Sequence, residues 1–228
     1  MAAVALGRDF EFRVHQPETC STGLEEVDAM AGGLPRGCLT EVCGPASSGC
    51  TSLMLAAMAQ ATGREEVCAL VDTNDAFDPA SAAAAGVWLE RLLWLRCGGR
   101  AEHALKAADL LVQGGGFGLV AMDLADTPVE TARRISMTSW FRLRRAVEHT
   151  PTVLLVLERQ PHAKTCASLM LEMRREKTAW SGAPGCSQLL RGIRVRVDRR
   201  KPAPAMTASI EARWGTNYVC GDPWRSGR

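Results

Sequence analysis

Apolar and polar positions alternate along this chain on a coarse scale. Short, almost continuously apolar runs stand at Cys38 to Cys43, Val67 to Asp72, Leu92 to Arg96, Leu119 to Asp123 and Val153 to Leu157. Helix-forming segments separate them: Leu53 to Gln60, Ala80 to Ala85, Ala101 to Gln113, and an arginine-rich stretch containing Arg133 to Arg145. Strands apolar on both faces are those of a parallel sheet covered by helices. In Ala101 to Gln113 the residues Ala104, Leu105, Ala108 and Leu111/Val112 fall on one side, as an amphipathic helix requires. The pattern then changes to period two. Leu169, Leu171 and Met173 interleave with Glu172 and Arg174, and Ile193, Val195 and Val197 interleave with Arg194, Arg196 and Asp198. Two such strands joined by a Gly/Pro/Ser-rich connection (Ser181 to Ser187) predict an antiparallel pair with one buried face and one basic face.

The expected fold class is therefore α/β, a mainly parallel sheet flanked by helices with an antiparallel C-terminal extension, spanning residues 20–214. Residues 1–19 form an N-terminal extension in which Phe10-Glu11-Phe12-Arg13-Val14 fits a short strand, packed on its own core or added to a neighbouring subunit's sheet. Residues 215–228 are read as a flexible tail. Ser21 or Thr22 is expected to cap a short helix with Glu25 in its first turn. Gly114 to Gly118 precedes a strand, so it is a helix-to-strand turn and not a dinucleotide fingerprint.

One junction carries chemistry. Between the strand ending at Cys43 and the helix beginning near Leu53 lies Gly44-Pro45-Ala46-Ser47-Ser48-Gly49-Cys50-Thr51, the strand, loop and helix order of a phosphate-binding loop. Backbone N–H groups from Gly44 to Gly49 and the positive end of the helix can cradle phosphate, and the Thr51 hydroxyl can reach Mg²⁺. Where the pattern has lysine, this chain has Cys50. Losing that ammonium removes a charge-assisted bond, so nucleotide binding is expected to weaken roughly 10- to 100-fold. A thiol at a helix N-terminus tends toward thiolate, which would repel phosphate. Asp123 ends an apolar strand, as an acid that holds Mg²⁺ through water does. The cofactor expected from Gly44, Pro45, Ser47, Ser48, Gly49, Cys50, Thr51 and Asp123 is weakly held ATP with Mg²⁺, the metal on Thr51 and Asp123.

Composition narrows the setting. The nine cysteines are odd in number, scattered and without a C-x-x-C pair, which disfavours a disulfide framework or zinc site and fits a reducing compartment. There is no apolar run of membrane-spanning length, and the expected location is the cytoplasm. Residues 1–100 hold 7 Arg and Lys against 13 Asp and Glu, and residues 101–228 hold 20 against 12. The basic second half suggests a polyanion or an acidic partner. Arg142, Arg144 and Arg145, with Arg133 and Arg134, accompany Trp140 and Phe141; Arg174, Arg194, Arg196 and the run Arg199-Arg200-Lys201 mark the terminal strands. Each can equally be solvated surface.

The run from Ser21 to Ser52, with Thr22-Gly23-Leu24, Gly32-Gly33-Leu34-Pro35-Arg36-Gly37 and the loop in that order, resembles the core of the RecA/RadA recombinase superfamily. The resemblance implies a RecA-like P-loop core. It places Asn74 where the family's general-base glutamate stands, and an amide cannot take up that proton; Asp72, Asp75 and Asp78 read as strand-end and turn residues. It places Arg159 at the nucleotide-sensing glutamine, with Gln160 adjacent, and Pro161 to Ala167, including Lys164, in place of the second DNA-binding loop. The first such loop, after Asp123, is short. Size, Gly116 to Asp126 and Trp180-Ser181-Gly182 look most like the ImuA group. That implies a non-hydrolytic accessory scaffold in SOS-type translesion DNA synthesis, with single-stranded DNA, an ImuB-type polymerase-like partner and RecA-type self-association as partners. The alternatives are a protein-interaction module of the cell-division-inhibitor type and an ATP-dependent recombinase paralogue, which would need a lysine from among Lys106, Lys164, Lys177 and Lys201.

Overall fold

The computed structural model describes residues 18–182 and 188–213. The strand expected at Phe10 to Val14, most of the Ser181 to Ser187 connection and the tail lie outside the described residues. In chain order the elements are β1 (Thr19–Cys20), α1 (Glu25–Ala31), β2 (Leu34–Pro35), β3 (Cys38–Cys43), α2 (Cys50–Gly63), β4 (Cys68–Asp72), α3 (Pro79–Ala84), β5 (Leu92–Arg96), α4 (Ala101–Gly114), β6 (Leu119–Asp123), α5 (Val129–Arg133), α6 (Met137–Val147), β7 (Val153–Glu158), β8 (Leu169–Ser181), β9 (Leu189–Lys201) and β10 (Met206–Arg213).

Eight strands form one sheet in the order β10-β9-β8-β3-β7-β6-β4-β5. From β8 to β5 neighbours run parallel, and β9 and β10 continue the sheet antiparallel. The fold is thus α/β with a mainly parallel sheet and an antiparallel C-terminal extension, as the apolar runs predict. Successive residues of β7 explain why those runs are continuous: Val153, Leu155 and Leu157 face the core built on α2, while Leu154 and Val156 face the core built on α4 and α6. On one side α2 contributes Leu53, Met54, Ala57, Met58 and Ala61; on the other α4 contributes Ala104, Leu105, Ala108 and Val112, and α6 contributes Trp140, Leu143 and Val147. No helix among the described residues is long and apolar enough to cross a membrane.

Four expectations are corrected. Leu24, not Ser21 or Thr22, is the N-cap of α1, and no side chain caps it. Both hydroxyls instead donate to Asp28, Ser21 Oγ at 2.6 Å and Thr22 Oγ1 at 2.8 Å, because the carboxylate is the stronger acceptor. The single helix expected through Arg133 to Arg145 is two, since Ser136 takes an extended conformation and caps α6 by accepting from the Ser139 N–H. Trp140 is wholly buried, so it cannot stack on a nucleic-acid base; Phe141 is exposed. Finally, β8 and β9 are each 13 residues long, and β10 pairs with β9 although its composition gave no strand signal.

Candidate functional site

Parallel topology gathers the carboxyl ends of β3, β4, β6 and β7 along one edge of the sheet, where ligands of such folds bind. The phosphate loop leaves β3 there. Ser47 and Gly49 take left-handed backbone angles, φ 59° and 96°, and Gly49 is the N-cap of α2. A Cβ on Gly44 would stand 2.4 Å from the Met173 carbonyl oxygen and 2.5 Å from Ser48 Oγ, so only glycine fits. The loop is consequently shaped by β8 behind it. No side chain caps the 14-residue α2, which leaves its N-terminus open to an anion.

A cavity of about 460 Å³ opens above this loop, lined by Gly44 to Ser52, by Ala76, Phe77, Asp78 and Ser81 from the β4 side, and by Asp123, Ala125, Asp126 and Arg159. Every nucleotide-site residue expected from the sequence is therefore brought together: Gly44, Pro45, Ser47, Ser48, Gly49, Cys50, Thr51 and Asp123. Thr51 and Ser52 are exposed at its mouth. Cys50 is not the thiolate expected at a helix start. It is 7% exposed, it meets Ser48 Oγ at 3.2 Å, and burial raises its thiol above the ordinary value, so it is neutral at pH 7. Burial likewise pushes the Asp123 carboxyl up to about 6, opposed by the Ala125 N–H that donates to Oδ1 at 2.9 Å. Size, backbone and carboxylate together fit a phosphate group with a divalent cation.

The acids after β4 do structural work. Asp72 accepts from the N–H groups of Ala76 and Phe77 and from Trp94 Nε1, each at 3.1 Å. Asp75 pairs with Arg96 at 3.0 Å, and Asp78 caps α3. Asn74 accepts from Thr127 Oγ1 at 3.2 Å, tying the loops after β4 and β6.

Two loops meet at a second cavity of about 490 Å³. The turn between α5 and α6 supplies Arg133, Arg134 and Ser136; the segment after β7 supplies Gln160, His162 and Lys164. No acidic partner pairs Arg133, Arg134 or Lys164 among the described residues. Beneath them lies a feature that the sequence did not single out. Glu41, inside β3, and Glu158, the last residue of the neighbouring β7, are 0% and 1% exposed. Burial, then the Glu41 charge and a hydrogen bond with Glu41, push the Glu158 carboxyl up to about 9. His162 Nδ1 lies 2.8 Å from Glu158 Oε2, and burial lowers the imidazole's affinity for a proton.

The remaining predicted cations are dispersed. Arg142 pairs with Asp109 at 3.4 Å and Arg144 with Glu148 at 3.0 Å; Arg145 flanks Phe141. Arg174 pairs with Glu172, Arg194 with Glu211 and Arg196 with Asp198. Arg200 reaches Glu172 and Asp198. The face expected to be basic is therefore largely charge-compensated. Arg159 belongs to the first cavity, where its Nε donates to the Ala125 carbonyl at 2.6 Å and Nη2 pairs with Asp126 at 2.8 Å.

The family described as the RecA N-terminal domain matches residues 1–133. Protein RecA of Methylobacterium sp. (strain 4-46) is 41% identical over 113 residues, which are 49% of this chain and 31% of the relative. The aligned stretch thus spans about a third of that relative's length.

Proposed function

Since this chain belongs to the RecA N-terminal domain family, we propose that it is a RecA-like accessory scaffold of DNA repair that binds single-stranded DNA. The observation that carries this is the cavity between the α5–α6 turn and the post-β7 loop, where Arg133, Arg134 and Lys164 converge without acidic partners among the described residues. Cations left without protein partners in one concave site are matched by phosphates of a flexible strand. Gly116 to Asp126 and the Trp180-Ser181-Gly182 turn support placement beside the ImuA group, and with it a role in SOS-type translesion synthesis.

Nucleotide occupies the phosphate-loop cavity in this reading. Backbone N–H groups between Gly44 and Thr51 hold the phosphates, and Thr51 and Asp123 hold Mg²⁺. The metal supplies charge neutralisation at the phosphates when bound. With Asn74 bonded to Thr127 and no carboxylate at the general-base position, the site holds nucleotide without efficient turnover. Self-association in the manner of RecA and an ImuB-type polymerase-like partner complete the proposal. The exposed Trp180, Leu189 and Leu190 at the far end of the β8–β9 hairpin favour a protein partner there.

Fluorescence anisotropy of a labelled single-stranded oligonucleotide, titrated at several salt concentrations with and without Mg-ATP, tests the DNA assignment. Lys164→Ala, Arg133→Ala and Arg134→Ala are each expected to lower the salt slope by about one. Arg174→Ala and Arg196→Ala, whose partners neutralise them, are expected to leave it nearly unchanged. No binding even at low salt would overturn the DNA role and leave the protein-interaction module of the cell-division-inhibitor type.

A further inference from the structure

The phosphate cavity lacks the loop lysine, and its wall contains three carboxylates, Asp78, Asp123 and Asp126, against one cation, Arg159. None of the four lysines lines it. Lys164 belongs to the second cavity, Lys106 to a groove along α4, Lys201 donates to the Thr165 and Ala167 carbonyls, and Lys177 lies within β8. Cys50 is a buried thiol and brings no positive charge.

We propose that Arg159 is the cation that anchors a magnesium-complexed nucleoside triphosphate in this cavity, taking over the electrostatic task of the missing lysine from the end of β7. The inference rests on the reading of this cavity as a nucleotide site and adds what makes it work. Arg159 follows the last residue of β7 and is stationed by the loop after β6, with Nε on the Ala125 carbonyl and Nη2 on Asp126. A guanidinium has five N–H donors, and these bonds engage two, so three remain to reach phosphate oxygens. The Asp126 pair is half exposed, 43% and 54% for the two side chains, and such a pair is readily exchanged for a stronger acceptor. Asp126 thus parks Arg159 while the cavity is empty and competes with the incoming phosphate. Three carboxylates make a bare polyphosphate unwelcome, so the divalent cation must enter with it.

The test is equilibrium binding of a fluorescent ATP analogue, with Mg²⁺ or with EDTA, to the protein and its variants. Wild type is expected to bind only with Mg²⁺. Arg159→Gln should weaken binding about 10- to 100-fold, the loss of a charge-assisted bond, with Arg159→Lys in between. Asp126→Asn should bind several-fold more tightly, which separates the assignment from a folding defect, and Cys50→Lys in the Arg159→Gln background should restore affinity. Binding by Arg159→Gln equal to wild type would overturn this assignment alone. Absence of binding by both wild type and Cys50→Lys would overturn the nucleotide-site reading and this assignment with it.

Discussion

Glu41 Oε1 accepts the backbone N–H groups of both His162, at 2.6 Å, and its neighbour Ala163, at 2.9 Å. A carboxylate sunk in the middle of the sheet therefore grips the loop that carries Lys164. The arrangement leaves Glu41 Oε2 and Glu158 Oε1 buried without hydrogen-bond partners, and a proton held on Glu158, whose carboxyl burial and the Glu41 charge push up to about 9, spares the site a second buried negative charge.

The proton held on Glu158 makes stability depend on pH. Unfolded, Glu158 releases its proton near the ordinary 4.5; folded, it keeps it to about 9. Between these values Glu158 binds fewer protons unfolded than folded, so its contribution to stability is full near the ordinary 4.5 and is lost as pH rises toward 9. Glu158→Gln, neutral throughout, should flatten this slope and exceed wild type at pH 9 by an amount on the order of 1–3 kcal/mol. Urea denaturation of both proteins at pH 5, 7 and 9 checks it; parallel pH profiles would disprove a proton held on Glu158 at neutral pH.

Trp140 fills the core between α6 and the sheet, and its Nε1 has no hydrogen-bond partner. Trp140→Ala should cost ~3–5 kcal/mol. Trp140→Phe should cost less than half of that, because it also removes an unsatisfied buried donor. Thermal unfolding monitored by circular dichroism distinguishes the two, at about 2–4 °C per kcal/mol for a chain of this size.

Two glycine substitutions should have opposite signs. Gly44→Ala drives a methyl into the Met173 carbonyl and Ser48, and should lower the melting temperature and abolish nucleotide-analogue binding together. At Gly63, the last residue of α2, an added Cβ meets nothing within 4 Å, so Gly63→Ala should be neutral or stabilising by about 0.4–1 kcal/mol. A destabilised Gly63→Ala would contradict the packing described at that helix end.

Cys43 and Cys68 have thiols pushed up to about 12, by burial first and then by Glu41 beside Cys43 and by Cys20 and Glu66 beside Cys68. Few thiolates exist at pH 8, so both should alkylate with iodoacetamide only after unfolding. Mass-spectrometric mapping of label over time, native against urea-treated, reads this directly. Rapid native labelling of either residue would contradict their burial.

Much of the fold was legible because parallel strands are buried on both faces and so are written as unbroken apolar runs. β10 was not, since Met206 to Arg213 mixes Ala, Ser and Thr on a half-exposed edge and is held by its register with β9 rather than by its own pattern. The break between α5 and α6 rests on one extended residue, Ser136, inside a stretch whose composition suits a helix throughout. At the site, glycine spacing marked the turn between β3 and α2 as a candidate phosphate loop, yet the direction Arg159 takes depends on β7 lying beside β6, which is a tertiary fact. The Glu41–Glu158 pair joins positions far apart in sequence. One sign of it was present: an acid flanked by Thr40 and Val42 in a strand buried on both faces must find a partner.

Gly44 lies under the Met173 carbonyl, and Gly49 faces the Met173 methyl and Val195. The bend of the loop is thus set largely by its neighbours in β8 and β9. A change at position 50 therefore alters the chemistry that the loop presents more than the curve of its backbone.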